Sequence, residues 1–270
     1  MEPKTTNSAP LIEFRNIGLI YNPTAPEPVT ALREVNAGIY PGEFCTIIGP
    51  SGCGKSTLLL LLDGLMKATS GEVLIKGQAV EKPGPDRAMV FQDFALMPWL
   101  TVYENVAYGL KILGKPPAET RETVMRQIKA VGLDGFHNKY PHQLSGGMRQ
   151  RVGIARALTV NPEILLMDEP FASIDAQTNE IMTQDLMQLY LEQRKTVIFV
   201  THSLEEAVFL SSRVLLMSAR PGTIVGELRI DLPYPRTPDT KLTHEFAEYK
   251  RYIWDHLKDA VIRVMKGGEP

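Results

Sequence analysis

The sequence predicts an α/β fold built on a mostly parallel sheet, on three observations. Apolar runs at 43–49, 87–92, 163–169, 196–201 and 213–218 are nearly continuous, as in strands buried on both faces. The first of these runs ends in a glycine-rich turn, and a helix-like stretch, KSTLLLLLDGLM (55–66), follows directly. Between Gln92 and Asn161 no strand-like run occurs, only stretches with helical character.

Taken in order, residues 1–10 read as a loose polar tail without the charged-then-apolar pattern of a signal peptide. LIEFRNIGLIY (11–21) alternates as a strand, and NPTAPEP (22–28) is a proline-rich turn. EFCTIIG (43–49) leads into the glycine turn and the helix, and RAMVFQ (87–92) is the next core strand. TVYENVAYGLKIL (101–113), AETRETVMRQIKAVGL (118–133) and SGGMRQRVGIARAL (145–158) read as helices. They form a helical subdomain, 93–160, inserted into an α/β core of 11–92 and 161–230. EILLMDE, TVIFVT and RVLLMS complete that core. In the extension 231–270, a helix at about 243–266 sets Phe246, Tyr249, Ile253, Leu257, Val261 and Val264 at helical spacing. Packing on the core is its expected role, and a partner-binding helix is the alternative.

Composition narrows the function classes. The 270 residues are 44% hydrophobic, enough for a sizeable core, and the formal net charge of -2 argues against a protein that coats nucleic acid. No apolar run reaches the roughly 18 residues that span a bilayer. Two cysteines, Cys45 and Cys53, make neither a disulfide framework nor a zinc site, which fits a reducing, cytoplasmic setting with buried thiols.

GPSGCGKST (49–57) has the spacing G-x-x-x-x-G-K-[ST]. Gly49, Ser51, Gly52, Cys53 and Gly54 let the backbone wrap phosphate oxygens, with N–H groups forming an anion nest at a helix N-terminus. Lys55 brings a positive charge to the β- and γ-phosphates, and Ser56, with Thr57 beside it, offers a hydroxyl to Mg²⁺. The plain alternative is a glycine turn with a surface lysine, which the flanking strand and helix disfavour. EILLMDEP (163–170) sets Asp168 and Glu169 at a strand end, suited to holding the Mg²⁺ shell through water and to orienting the attacking water. Alone, such a pair is more often a helix cap or loop charge; with the glycine loop it points to a nucleotide triphosphatase.

LSGGMRQR (144–151) places Ser145, Gly146 and Gly147 at a helix N-terminus, a second phosphate-binding arrangement in one chain. An ordinary capped helix start explains Ser145 but not the adjacent glycines. A second γ-phosphate binder makes sense where it reaches a partner subunit's nucleotide.

On these motifs the chain resembles, over nearly its whole length, the ATPase subunits of ABC transporters, with LSGGMRQR matching the family's signature motif. The resemblance implies a P-loop NTPase (RecA-like) core, an antiparallel β subdomain and a homodimer with two competent Mg-ATP sites. It implies that Tyr21 stacks on adenine, with strand-end packing the alternative. Gln92 contacts Mg²⁺ and senses the permease, Ser173-Ile174-Asp175 crosses the dimer interface, and His202 contacts the γ-phosphate. Glu169, His202 and Lys55 are then the catalytic group. Cys53 lies beside phosphate, so thiol reagents are expected to inhibit and Mg-ATP to protect.

One signature motif, one glycine loop and no fused membrane span resemble a bacterial importer whose integral-membrane permease and solute-binding protein are separate chains. The protein is then peripheral on the cytoplasmic face of the inner membrane, with no nucleic-acid partner. MPWLTVYENVAYGL (97–110) and MSARPGTIVGELRIDLPYPR (217–236) resemble segments of the nitrate, sulfonate, taurine and bicarbonate group. Importers of pyrimidine or thiamine precursors share much of this pattern, and a soluble non-transport ATPase of the same superfamily is the remaining alternative. The segment after Gln92, through about Glu104, is expected to receive a permease helix with Phe94, Leu96, Met97 and Trp99. For Trp99, burial within the helical subdomain stays open.

Overall fold

The protein is described by a computed structural model over residues 9–265, excluding the side chains of 260, 261 and 263–265. The expected tail at 1–8, the contacts of Val261 and Val264, and the last residue of the helix expected to 266 lie outside the described residues.

The expected core strands pair as one six-stranded sheet. β3 (Phe44–Ile48), β6 (Arg87–Val90), β7 (Ile164–Asp168), β8 (Thr196–Thr201) and β9 (Arg213–Met217) run parallel. β10 (Ile224–Arg229) adds an antiparallel edge, giving the order β10-β9-β3-β8-β7-β6. A second, antiparallel sheet has the order β2-β1-β4-β5, from β1 (Ile12–Tyr21), β2 (Val29–Ile39), β4 (Ser70–Ile75) and β5 (Gln78–Ala79).

The continuous apolar runs have their cause in burial on both faces. Along β3, Phe44 and Ile48 join Val197, Phe199 and Leu216 against helices on one side. Cys45 and Ile47 join Ile198, Val200 and Leu215 on the other, under α1 (Lys55–Asp63) and the antiparallel sheet. α1 stops three residues before the expected end because Gly64 takes φ 82° and returns its N–H to the Leu60 and Leu61 carbonyls.

Between β6 and β7 lie α2 (Val102–Ile112), α3 (Pro117–Ala130) and α4 (Gly146–Thr159), which pack on one another. α2 starts with a reciprocal cap, Thr101 Oγ1 accepting from Glu104 N–H while Glu104 accepts from Thr101 N–H. α5 (Ala176–Gln193) and α6 (Leu204–Leu210) follow β7 and β8. α7 (His244–Met265) buries Phe246, Ile253 and Leu257 in the same cluster as the main sheet, as its spacing predicts. Its approach is fixed by Arg236, 3% exposed, whose guanidinium donates to the carbonyls of Val208, Phe209, Ser211, Ile230 and Leu232. Lys241 adds ion pairs to Glu180 of α5 and Glu205 of α6.

Candidate functional site

The sheet order brings distant sequence segments together. β3, β8 and β7 are adjacent and parallel, so the loop after β3, His202 after β8, and Asp168 and Glu169 at the end of β7 share one sheet edge. The carboxyl edge of such a sheet is where ligands bind.

The loop 49–54 depends on glycine. Gly54 adopts φ 102°, and a Cβ there would stand 2.6 Å from Leu32 Cδ2, so both backbone and space exclude a side chain. Lys55 opens α1 and is buried; its Nζ donates to the carbonyls of Gly49 (3.0 Å) and Pro50 (3.1 Å) and lies 3.7 Å from Glu169 Oε1. Ser56 Oγ donates to Asp168 Oδ1 at 2.8 Å. Burial pushes the Asp168 carboxyl above its usual range, with the Ser56 hydroxyl opposing the shift and the Glu169 charge adding to it.

Glu169 holds φ 43°, a left-handed conformation that a non-glycine residue rarely keeps without an anchor. The anchor is its N–H, which donates to Val200 O at 3.0 Å. Its Oε2 lies 3.0 Å from His202 Nδ1, so one carboxylate bridges Lys55 and the imidazole. The His202 side chain is otherwise open to solvent.

Tyr21 ends β1, and its hydroxyl pairs with Thr57 Oγ1 at 2.9 Å while the residue stays 38% exposed. Ser51 and Gly52 face solvent. Gln92 is exposed just past β6, and among the described residues it makes no hydrogen bond to Ser56 or Asp168. The structure does not bring Ser145, Gly146 and Gly147 to the glycine loop. Ser145 caps α4 by accepting from Met148 N–H at 3.3 Å, and a Cβ on Gly147 would lie 2.6 Å from Thr178 Cγ2 of α5. Asp175 caps α5, accepting from Thr178 N–H at 3.0 Å, a bond that lowers its pKa.

One expectation changes and one alternative closes. Cys53 is 1% exposed, and burial raises its thiol pKa, so it is a poor target for thiol reagents; its backbone alone is available to a phosphate. Trp99 is 72% exposed, which removes the buried alternative.

Sequence reasoning missed two contacts here. Arg220, within the quoted SARPG segment, donates to Gly52 O at 3.2 Å, and Glu206 braces the backbone around His202. An arginine in a motif flanking the core, and an acid four residues after the histidine, were the available signals.

A glycine loop at a helix N-terminus, a lysine within it, a serine–carboxylate pair and a second carboxylate held by histidine define a phosphate-loop nucleotide triphosphatase. The sequence pattern of the ABC transporter family matches residues 32–172. The chain belongs to that family and is an ATP-binding cassette that hydrolyses ATP. It is 50% identical over 238 residues to an uncharacterised ABC transporter ATP-binding protein of Methanocaldococcus jannaschii, covering 88% of each chain. It is 46% identical to a nitrate import ATP-binding protein of Synechocystis, covering 85% of this chain and 89% of that one. A bicarbonate transport ATP-binding protein of Synechococcus elongatus is 40% identical, with coverage of 94% and 93%. Among solved structures, a dimeric ATP-binding cassette in a post-hydrolysis state with ADP and Pi aligns with a TM-score of 0.73 at 36% identity, covering 82% of this chain and all of that one.

Proposed function

We propose that the chain is the ATP-hydrolysing subunit of an importer for a small solute, working as a homodimer beneath a separate integral-membrane permease on the cytoplasmic face. The observation that carries the pairing is the division of phosphate-binding groups. One set surrounds Lys55, while Ser145, Gly146 and Gly147 stand at another helix start, beside Ser173 and Thr178. The similar dimeric cassette with ADP and Pi supports a dimer.

Within each site, Lys55 exchanges its two loop carbonyls for phosphate oxygens, and Tyr21 offers a ring to adenine. Ser56 and Asp168 fit Mg²⁺, because a hydroxyl and a carboxylate already lie at 2.8 Å. Among the described residues no group of three or more histidine, cysteine or acidic side chains could cage a metal. Gln92 would join Ser56 and Asp168 in holding the ion. When bound, the ion would neutralise developing phosphate charge. Glu169 orients the attacking water and takes its proton, and His202 fixes that carboxylate through Nδ1 and contacts the γ-phosphate. Asp175 and its loop complete the neighbouring site across the interface.

Trp99 and the half-buried Phe94, Leu96 and Met97 offer the permease an apolar contact. A depression of about 380 Å³ lined by Tyr103, Arg121, Met125, His137 and Asn138 adjoins that segment through Tyr103. The nitrate and bicarbonate relatives support a small anion as the solute.

The test is ATPase activity of the subunit with its native permease in lipid nanodiscs, adding the cognate binding protein and each of nitrate, bicarbonate, taurine, alkanesulfonates and pyrimidine or thiamine precursors. Selective stimulation by one solute is expected. Activity indifferent to every solute, with no permease recovered, would favour the soluble ATPase instead.

A further inference from the structure

Two hydrogen-bond chains meet at a carboxylate that the roles above leave unused. α6 begins one residue after the Ser203 cap, directly beyond His202, and Glu206 lies in its first turn. Glu206 Oε2 accepts from Thr201 Oγ1 at 2.5 Å, and that oxygen accepts from Ser203 N–H at 3.0 Å. Glu206 N–H in turn donates to Ser203 Oγ at 3.2 Å. The Glu206 carboxylate therefore holds Thr201, on one side of His202, directly, and Ser203, on the other, through the Thr201 hydroxyl.

The other oxygen faces α5. Glu206 Oε1 accepts from Asn179 Nδ2 at 3.0 Å, and Asn179 Oδ1 accepts from Thr183 Oγ1 at 3.0 Å. Asn179 sits in the turn that follows the interface loop, its N–H donating to the Asp175 carbonyl at 2.8 Å. Thr201 and Thr183 are both buried, so these bonds are sheltered from competing water.

We propose that Glu206 is a positioning residue that ties His202 to the loop ending in Asp175, so that displacement of that loop is felt at the histidine. The inference rests on the roles given above to His202 and Asp175. The chemistry follows from the donors. An ionised carboxylate only accepts, so Thr201 must donate to it, and Asn179 must present its amide nitrogen. Glu206→Ala strips the acceptor from both donors at once. Glu206→Gln keeps an oxygen for Asn179 and is the milder change.

The experiment is steady-state ATPase kinetics on the full chain carrying Glu206→Ala, Asn179→Ala, both together, Glu206→Gln and, as a reference, His202→Ala. Glu206→Ala and Asn179→Ala are each expected to lower kcat on the order of tenfold or more, the scale of a small misplacement of a catalytic group, with KM for ATP held. The double variant should be no worse than the poorer single, and Glu206→Gln should recover part of the loss. Wild-type kcat in Asn179→Ala, or losses that multiply in the double variant, would overturn the tie. If Glu206→Ala does not fold, Asn179→Ala with Glu206→Gln decides the matter. Full activity in His202→Ala would instead overturn the underlying role of the histidine. A dead His202→Ala beside normal Glu206→Ala and Asn179→Ala would remove only the coupling.

Discussion

Replacing Arg236 by methionine tests whether the extension after β10 belongs to the structural core. The guanidinium makes three short bonds to backbone carbonyls, Val208 at 2.7 Å, Ser211 at 2.8 Å and Leu232 at 2.9 Å, and longer ones to Phe209 and Ile230. Three of the five carbonyls lie at the C-terminal end of α6, where a positive charge is favourable. Counting only the short bonds, at the lower end of about 1.5 kcal/mol for a charged donor, gives about 4.5 kcal/mol. The stacked Tyr234 ring, 4.3 Å from the guanidinium carbon, adds to this. Against it stands desolvation, which lowers the arginine pKa and is already contained in a net bond value. A loss of about 3–5 kcal/mol corresponds to about 6–10 °C in Tm for a chain of this size. Thermal unfolding of the nucleotide-free subunit, followed by circular dichroism, reads it directly. Arg236→Lys should fall between, since an ammonium keeps the charge but loses the planar fork. A shift below about 2 °C for the methionine variant would refute the reasoning and make the extension an appendage.

Further outcomes follow from the site. Glu169→Gln should retain ATP binding, lower hydrolysis by about 10²–10⁴-fold and accumulate an ATP-bound dimer, read by size exclusion with radiolabelled nucleotide. The folded Asp168 carboxyl holds its proton more tightly than the unfolded one, so its favourable contribution is complete below the unfolded pKa and is lost as pH rises through the folded value. Asp168→Asn should therefore raise Tm at neutral pH while abolishing hydrolysis, and the gain should shrink as the pH falls. Gly147→Ala forces a methyl against Thr178 and should cost about 1–3 kcal/mol, with Thr178→Ala restoring stability in calorimetry. Cys53 should label only slowly with N-ethylmaleimide at neutral pH, by mass spectrometry, because its thiol is buried and protonated.

The parallel core was legible because β3, β6, β7, β8 and β9 are buried on both faces and leave unbroken apolar runs. Of the half-exposed strands, β1 was read from its alternation, but β2, β4, β5 and β10 were not. β2 carries Glu34 at φ 47°, and the β1–β2 register shifts repeatedly, so no clean alternation survives in VTALREVNAGI. β10 alternates between intermediate and exposed positions at a sheet edge, with little burial to mark it. α5 shows the same limit in a helix: its buried face mixes Met182, Thr183, Leu186 and Tyr190, and the contrast with its outer face is weak. In the site, contiguous motifs were readable one by one, but the bridge from Lys55 through Glu169 to His202 exists only because β8 lies between β3 and β7. The Asn179–Glu206 contact depends on how α5 and α6 pack, which no local pattern encodes.

The folded-back Lys55 has a bearing on which anions the loop admits. Its ammonium already has two carbonyl oxygens and a carboxylate nearby, so the cradle carries an internal competitor. A visiting anion must outbid all three before the lysine turns. Chloride or a lone carboxylate brings one charge and few acceptors, whereas a triphosphate brings several of both, engages the loop amides at the same time and repels Glu169 from the lysine. The self-contacts of Lys55 thus set a threshold that a polyphosphate, with its several charges and acceptors, is better placed to cross than a monovalent anion.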